Sequence, residues 1–364
     1  MAEPFVSELC ERIRACASAR RTVRVRGGGT KDFYGRAPRG DEVVEMSAHS
    51  GIVAYEPKEL VLTVRAGTAL EEVERALAAE RQMLPFEPPH FARAGSARGQ
   101  GGGGATIGGV VASGLSGPRR PYAGAVRDFV LGTRIVNGRG EALAFGGRVI
   151  KNVAGYDVSR LMAGALGTLG VITEASFKVL PKPPEEKTLS FALAQGPAIE
   201  RANRWAGQPL PLSAAAWEAN VLRVRLSGAS AAIAAAMAKL GGEEDPQGAR
   251  YWEDLREQRL AFFAGDAPLW RLSVPQTTPP LLTEHAQLVD WGGGVRWIRG
   301  VADTASIRDA AQRAGGHATL FRGGDRASSV FHPLAPAILK VHRRLKAAFD
   351  PAGILNPGRM YDEL

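Results

Sequence analysis

Between Gly95 and Gly117 ten of 23 positions are glycine. Glycine loses more backbone freedom on ordering than any other residue, so a run this dense either stays a linker or is kept where a Cβ cannot fit. The apolar residues inside it decide. Ile107, Val110, Val111 and Leu115 have no use in a solvated linker, so GGGGATIGGVVASGLSG (101–117) reads as a packed loop entering a helix. A second cluster, RGGGTK at 26–31, ends a β-type run at 22–27 and precedes Phe33 and Tyr34. Alone it is most simply a turn. Two such loops in one chain suit another use, because successive glycines can turn their N–H groups toward an anion. The loops add Thr30, Lys31, Thr106, Ser113 and Ser116 as hydroxyl and charged donors. A diphosphate would accept from both.

The common nucleotide signatures are missing. Lys31 follows Thr30 rather than a glycine, which breaks the G-x-x-x-x-G-K-[ST] pattern. GQGGGG (99–104) satisfies G-x-G-x-x-G only as any glycine run would, and it follows PFEPPHFARAGSAR rather than a strand.

Periodicity organises the rest. β-type runs at 22–27, 42–47 and 60–67 precede a helix at 69–82, with Leu70, Val73, Leu77 and Met83 on one face. DFVLGTRIVNGRGEALAFGG reads as a hairpin turning at Asn137-Gly138. A helix near 157–165 and a β run at 170–180 follow, and PKPPEEK (181–187) forms a boundary that no element can cross. Beyond it, strands at 188–194, 213–218, 221–227, 269–274, 295–299 and 317–322 alternate with helices near 229–240, 251–262 and 303–314, and a last helix occupies 334–349. This pattern predicts an α+β layer with a sheet covered on one face.

Composition bounds the function. No apolar run approaches the roughly 20 residues of a membrane span, and the N-terminus lacks a signal-peptide core, which predicts a cytoplasmic address. Cys10 and Cys16 supply neither a disulfide framework nor a cluster ligand set. The net charge of +9 is scattered along the chain and rarely interleaved with aromatics, which argues against nucleic acid and fits an anionic ligand or an acidic partner.

In order, RGGGTK, YEPKELVLTVRAGT, GATIGGVVASGLSG, VRDFVLGTRIVNGRGE, KNVAGYDVSRLMAGALGTLGVITEASFKVLPKP and FDPAGILNPGRM resemble the FAD-binding oxidoreductases of the vanillyl-alcohol-oxidase type. Within that family the resemblance is greatest to the FAD-binding E subunits of bacterial glycolate oxidases. It is dense over 22–184 and at the C-terminus, and weaker over 188–330. It implies an α+β fold in which a two-subdomain FAD-binding domain (1–184) carries an α+β cap (185–333) and a C-terminal return (334–364). Gly27, Gly28, Gly29, Thr30 and Lys31 match the loop that wraps the diphosphate. Gly104, Thr106, Gly108, Gly109, Ser113 and Gly114 match the second loop. Gly167, Thr168, Gly170, Val171 and Ile172 match the strand entry near the adenosine, and Asn356 the terminal residue near the ring system.

Two departures carry information. Covalent members have a histidine in the first loop, where this chain has Thr30-Lys31, so noncovalent FAD is expected. Related 2-hydroxyacid dehydrogenases hold a metal with histidine and glutamate in the cap; no such motif occurs here, and no metal is expected. His317 and Arg322, in GGHATLFRGGDR, are the candidates for touching substrate, although a lone strand histidine is more often structural. The implied function is oxidation of a small 2-hydroxyacid, glycolate to glyoxylate. Electrons would leave to a second flavin subunit and an iron–sulfur subunit, and any contact with the inner face of the cytoplasmic membrane would come through that complex. A flavin-binding structural or relay subunit and a non-flavin nucleotide binder are the alternatives. DWGGGVRWIRG (290–300) pairs tryptophans with arginines, which suits either an interface or the cap core.

Overall fold

A computed structural model describes residues 3–91, 104–147, 157–301, 303–327 and 329–364. The front of the dense glycine run (95–103) and most of KNVAGYD (151–157) lie outside the described residues.

The N-terminal half is built on two small sheets. The helix Pro4–Ala19 buries Leu9, Cys10, Ile13 and Cys16 on one stripe, and the chain leaves it through Arg20 in the left-handed region. Strand Val23–Arg26 then pairs in parallel with Glu42–Glu45. A five-stranded antiparallel sheet follows, in the order Ile52–Glu56, Val61–Arg65, Val171–Lys178, Val130–Val136 and Ala142–Gly146. The helix Leu70–Ala79 packs on the same core through Leu70, Val73 and Leu77, each worth about 1.5–3 kcal/mol when fully buried.

The C-terminal segment returns to this half. Val23 donates its N–H to Ile354 and accepts from the N–H of Asn356 (2.8 and 2.9 Å), so residues 354–356 extend the parallel pair beside the first glycine loop.

The second half forms an eight-stranded antiparallel sheet, including Glu185–Ala192, Val221–Gly228, Leu212–Glu218, Gln287–Asp290, Val295–Arg299, Leu269–Ser273 and His317–Arg322. Helices Gln195–Ala206, Ser230–Leu240 and Thr304–Arg313 cover one face. The other face is covered as well. Trp291, Trp297, Phe321 and Tyr251 pack there with Tyr34, Leu115 and Leu166 from the N-terminal half. The two tryptophans of DWGGGVRWIRG are therefore buried between the halves: Trp291 Nε1 donates to Gly117 O at 3.1 Å.

Polar contacts clamp the halves together. Glu87 accepts from Arg119 Nε (3.2 Å) and Arg225 Nη2 (2.9 Å), and Glu257 accepts from the amides of His90 and Phe91. Several expectations change: the helix read at 69–82 ends at Ala79 and Met83 lies in the short strand Gln82–Met83, and the helix Gln195–Ala206 was not expected. The expected helix at 251–262 is Gly248–Arg256, because Gln258 has φ +54 and a single 3₁₀ turn follows at Ala261–Phe263. Strands Ile52–Glu56 and Gln287–Asp290 were not foreseen, being short and without a continuous β-branched run. The sheet of the second half is sheltered on both faces rather than one.

Candidate functional site

The first strand delivers the chain into Gly27–Lys31, and among the described residues no protein acceptor meets the N–H groups of this loop. Of its three glycines only Gly29 is left-handed (φ +71). Gly27 serves a different need: a Cβ there would sit 2.2 Å from Thr106 Oγ1, so the missing side chain makes room for the Thr106 hydroxyl where the two glycine-rich segments meet.

Thr106 caps the helix Ile107–Ser113, accepting from Gly109 N at 3.3 Å. The amides of Ile107 and Gly108 are already spent on Thr68 O and Ala66 O (3.0 and 2.7 Å). This second segment therefore acts as a wall more than as a donor set. A Cβ on Gly108 would lie 2.9 Å from Ala66 Cβ, whereas one on Gly109 would meet only Thr106 Oγ1 at 3.3 Å. Gly109 is glycine for the sake of the open space in front of it.

That space is a cavity of about 850 Å³ bounded by both glycine segments, Ser113, Gly167, Gly170, Ile172, Asn356 and Arg359, within the range of cofactor pockets. Asn356 fastens its far side. Its Oδ1 accepts from Val25 N (2.8 Å) and its Nδ2 donates to Leu166 O (2.7 Å), with the residue held at φ +42.

Positive charge gathers here. Arg26 Nε is buried without a hydrogen bond among the described residues, and Arg359 lines the cavity while donating to Asp32 O at 3.0 Å. Burial pulls the Lys31 ammonium down to about 8 against a weaker opposing pull from Glu257. Unspent amides and a desolvated lysine, beside an Arg26 guanidinium shared with Asp32 and Glu45, are groups that suit an anion.

The structure sorts the sequence candidates. Gly28, Thr30 and Lys31 join Gly27 and Gly29 on the cavity wall with Thr106, Gly108 and Gly109. Val171 is fully buried in the core because strand side chains alternate: Gly170 and Ile172 face the cavity and Val171 faces away. Thr168 turns its hydroxyl back onto Ala165 O at 2.7 Å. Gly114 is a left-handed helix cap (φ +62) whose missing Cβ makes room for Gly164, and Gly104 faces open space. His317 is exposed at the start of its strand. Arg322, at the other end, donates to Gln258 Oε1 at 2.6 Å and stacks on Phe33. The two are not brought together. Arg271 and Asp290, which line a smaller cavity between the halves, were missed; no local pattern marks them.

Comparison with known proteins gives this arrangement its family. Residues 6–146 match the family described as FAD binding domain, and 325–360 match FAD linked oxidases, C-terminal domain. The chain is 45% identical to the glycolate oxidase subunit GlcE of Escherichia coli over 99% of its own length and 98% of that protein's. The chain belongs to the GlcE family. It is an FAD-dependent oxidoreductase. A more distant similarity is to D-lactate dehydrogenase of Archaeoglobus fulgidus, 26% identical over 94% of this chain and 86% of that protein. The fold of p-cresol methylhydroxylase superposes with a TM-score of 0.71 at 17% identity, over 97% of this chain and 87% of that one. This is the α+β vanillyl-alcohol-oxidase-type fold, and in this GlcE-family chain the cavity described above takes lining residues from both matched stretches, 6–146 and 325–360. Among the described residues no helix is long and apolar enough to cross a membrane, and no group of three histidine, cysteine or acidic side chains could hold a metal.

Proposed function

We propose that this chain is the FAD-carrying subunit of a hetero-oligomeric 2-hydroxyacid oxidoreductase that converts glycolate to glyoxylate. One observation carries the reading: the end-to-end match to a protein named as a glycolate oxidase subunit. Bound FAD supplies the two-electron acceptor that oxidation of a hydroxyacid requires. The chain's part is to bind and orient. The amides of Gly27–Lys31 and the charges of Arg26 and Lys31 suit the diphosphate, Gly108 and Gly109 let it lie against bare backbone, and Asn356 fixes the opposite wall. Electrons then pass to a second flavin subunit and an iron–sulfur subunit. Co-expression with two such subunits, pull-down and a dye-coupled glycolate assay test the proposal. Activity is expected in the assembly and not in the isolated chain; full turnover by the isolated chain contradicts the hetero-oligomer.

A relay subunit without turnover of its own is the second reading. It is favoured by the aromatic packing of Phe33, Phe91, Phe321 and Trp297, which crowds the space between the halves. Anaerobic glycolate bleaches the flavin of the assembly under either reading. Only the first loses that bleaching when FAD is removed from this chain alone.

FAD is held noncovalently in this account, because Thr30-Lys31 stands where covalent relatives have histidine. Acid precipitation should leave all flavin in the supernatant, and yellow pellets would contradict it.

Lys31 makes the affinity pH-dependent. Burial lowers its value from 10.5 to about 8, and a bound diphosphate favours the charged form. FAD binding should be flat below about 8 and weaken above it by at most about tenfold per pH unit, because one proton must be taken up. The unliganded fold behaves oppositely: its stability rises between about 8 and 10.5, where the unfolded chain binds more protons. Flavin-fluorescence titrations of wild type and Lys31→Met test this, with the slope absent in the variant.

A further inference from the structure

We infer that Arg271 and Arg120, set against Trp291 in the cleft between the two halves, form a binding site for a small carboxylate. The inference rests on the hydroxyacid reading above and names the residues that would hold the acid end of the substrate.

The geometry comes from both halves. Arg271 projects from the strand Leu269–Ser273, paired with Trp297 on one side and Thr319 on the other. Its guanidinium carbon lies 4.7 Å from the ring centre of Trp291 and 5.9 Å from that of Trp297. Arg120 comes from the opposing half, in the short helix Arg120–Ala123, and stands 4.3 Å from the same Trp291 ring. Residues with the same facing as Arg271 on the neighbouring strand, Thr319 and His317, carry the line outward to the exposed rim.

Neither arginine has an ion pair or a side-chain hydrogen bond among the described residues. This is unusual here, since the interdomain arginines Arg119 and Arg225 are both committed to Glu87. The carboxyl group nearest in effect, Asp290, is engaged with Trp291 N at 2.7 Å, and burial pushes it up to about 7, so near neutral pH it offers Arg271 only part of a negative charge. Arg271 is only partly covered and lines a partly open cavity of about 390 Å³ with Ser116, Gln258, Trp297 and Phe321. The two half-buried guanidiniums share one tryptophan ring and repel each other, and an anion beside them would offset that repulsion. A planar carboxylate suits the fork of a guanidinium held by aromatic stacking.

The space adjoins the larger cavity through the first glycine loop: Lys31 Nζ lies 5.7 Å from the ring of Phe91, which lines both the space and the loop's flank. Ser116 continues from the helix Ile107–Ser113 that walls the flavin cavity.

The test uses FAD-loaded protein and oxalate, a two-carbon acid that the enzyme cannot oxidise. Oxalate should perturb the flavin absorbance or tryptophan fluorescence of wild type saturably. Arg271→Met should weaken that binding at least tenfold at unchanged FAD content, Arg271→Lys should recover part of it, and Arg120→Met should weaken it less. In the assembly, Arg271→Met should raise the glycolate KM more than it lowers kcat. Oxalate binding that is absent in wild type, or equal in wild type and Arg271→Met, overturns the site. The broader reading is judged separately: a wild-type assembly that oxidises no glycolate yet binds oxalate through Arg271 keeps the site and rejects the hydroxyacid function.

Discussion

Replacing Gly109 by valine strips the protein of FAD while leaving it folded. The two consequences separate because of what surrounds this position. Gly109 has ordinary helical backbone, so a β-branched residue meets no left-handed strain. Its Cβ would touch only Thr106 Oγ1, at 3.3 Å. The valine methyls would instead enter the cavity where the two glycine segments face each other. A side chain there holds the diphosphate off the backbone, and the loss expected is at least about 100-fold in affinity, or about 2.7 kcal/mol. Gly108→Val is the contrasting variant. Its side chain would run into Ala66, whose carbonyl lies 3.1 Å from the added Cβ, so stability falls along with binding. Flavin content and urea unfolding measured on both variants check the pair. Stoichiometric FAD in Gly109→Val contradicts the role given to the second segment.

Asp350→Ala should cost about 3–5 kcal/mol of stability, as removal of one partner from a buried ion pair does. Asp350 is fully buried and lies 2.8 Å from the Lys346 ammonium one helical turn earlier in Pro336–Phe349. Its carboxylate also accepts from the amides of Ile354 (3.2 Å) and Leu355 (2.7 Å). Lys346 in turn donates to Thr168 O and Leu355 O (2.8 and 2.7 Å). This cluster shapes the turn that carries Asn356 to the cavity between the glycine segments, so FAD affinity should fall as well if that cavity holds FAD. Without Asp350 the ammonium is left buried on carbonyl oxygens alone, and burial already draws Lys346 below the usual lysine range. Urea unfolding of Asp350→Ala against the double variant Asp350→Ala/Lys346→Met checks the cause: the double variant should regain the part due to the stranded ammonium, while the Ile354 and Leu355 amides stay without their acceptor. A single variant within about 1 kcal/mol of wild type contradicts it.

Much of this was legible in the sequence where the signal is local. The glycine segments, the helix face of Leu70, Val73 and Leu77, and the hairpin at 137 all follow from short-range chemistry. The hairpin shows the limit. Asn137 does make the turn, accepting from the amides of Arg139 and Glu141, but the left-handed glycine is Gly140. Gly138 is there because Asp350, far along the chain, would lie 2.2 Å from its Cβ. Long-range demands of this kind leave no mark on neighbouring residues. The same holds for the arginines. A net charge of +9 announces excess positive charge, yet only the folded arrangement separates Arg225, paired with Glu87, from Arg271, which is not. The resemblance gathered thirteen of its seventeen cofactor positions around one cavity, and the other four, Gly104, Gly114, Thr168 and Val171, serve capping, packing or the surface.

The central claim is that the two glycine segments hold the diphosphate of FAD. Titration of flavin-free protein with FAD, followed by flavin fluorescence and competed with ADP and with riboflavin, tests it most directly. One FAD per chain is expected, with displacement by ADP, which carries the same diphosphate, and little effect of riboflavin, which carries none; Gly109→Val should lose both FAD and ADP. FAD binding that ignores ADP and yields to riboflavin would contradict the account.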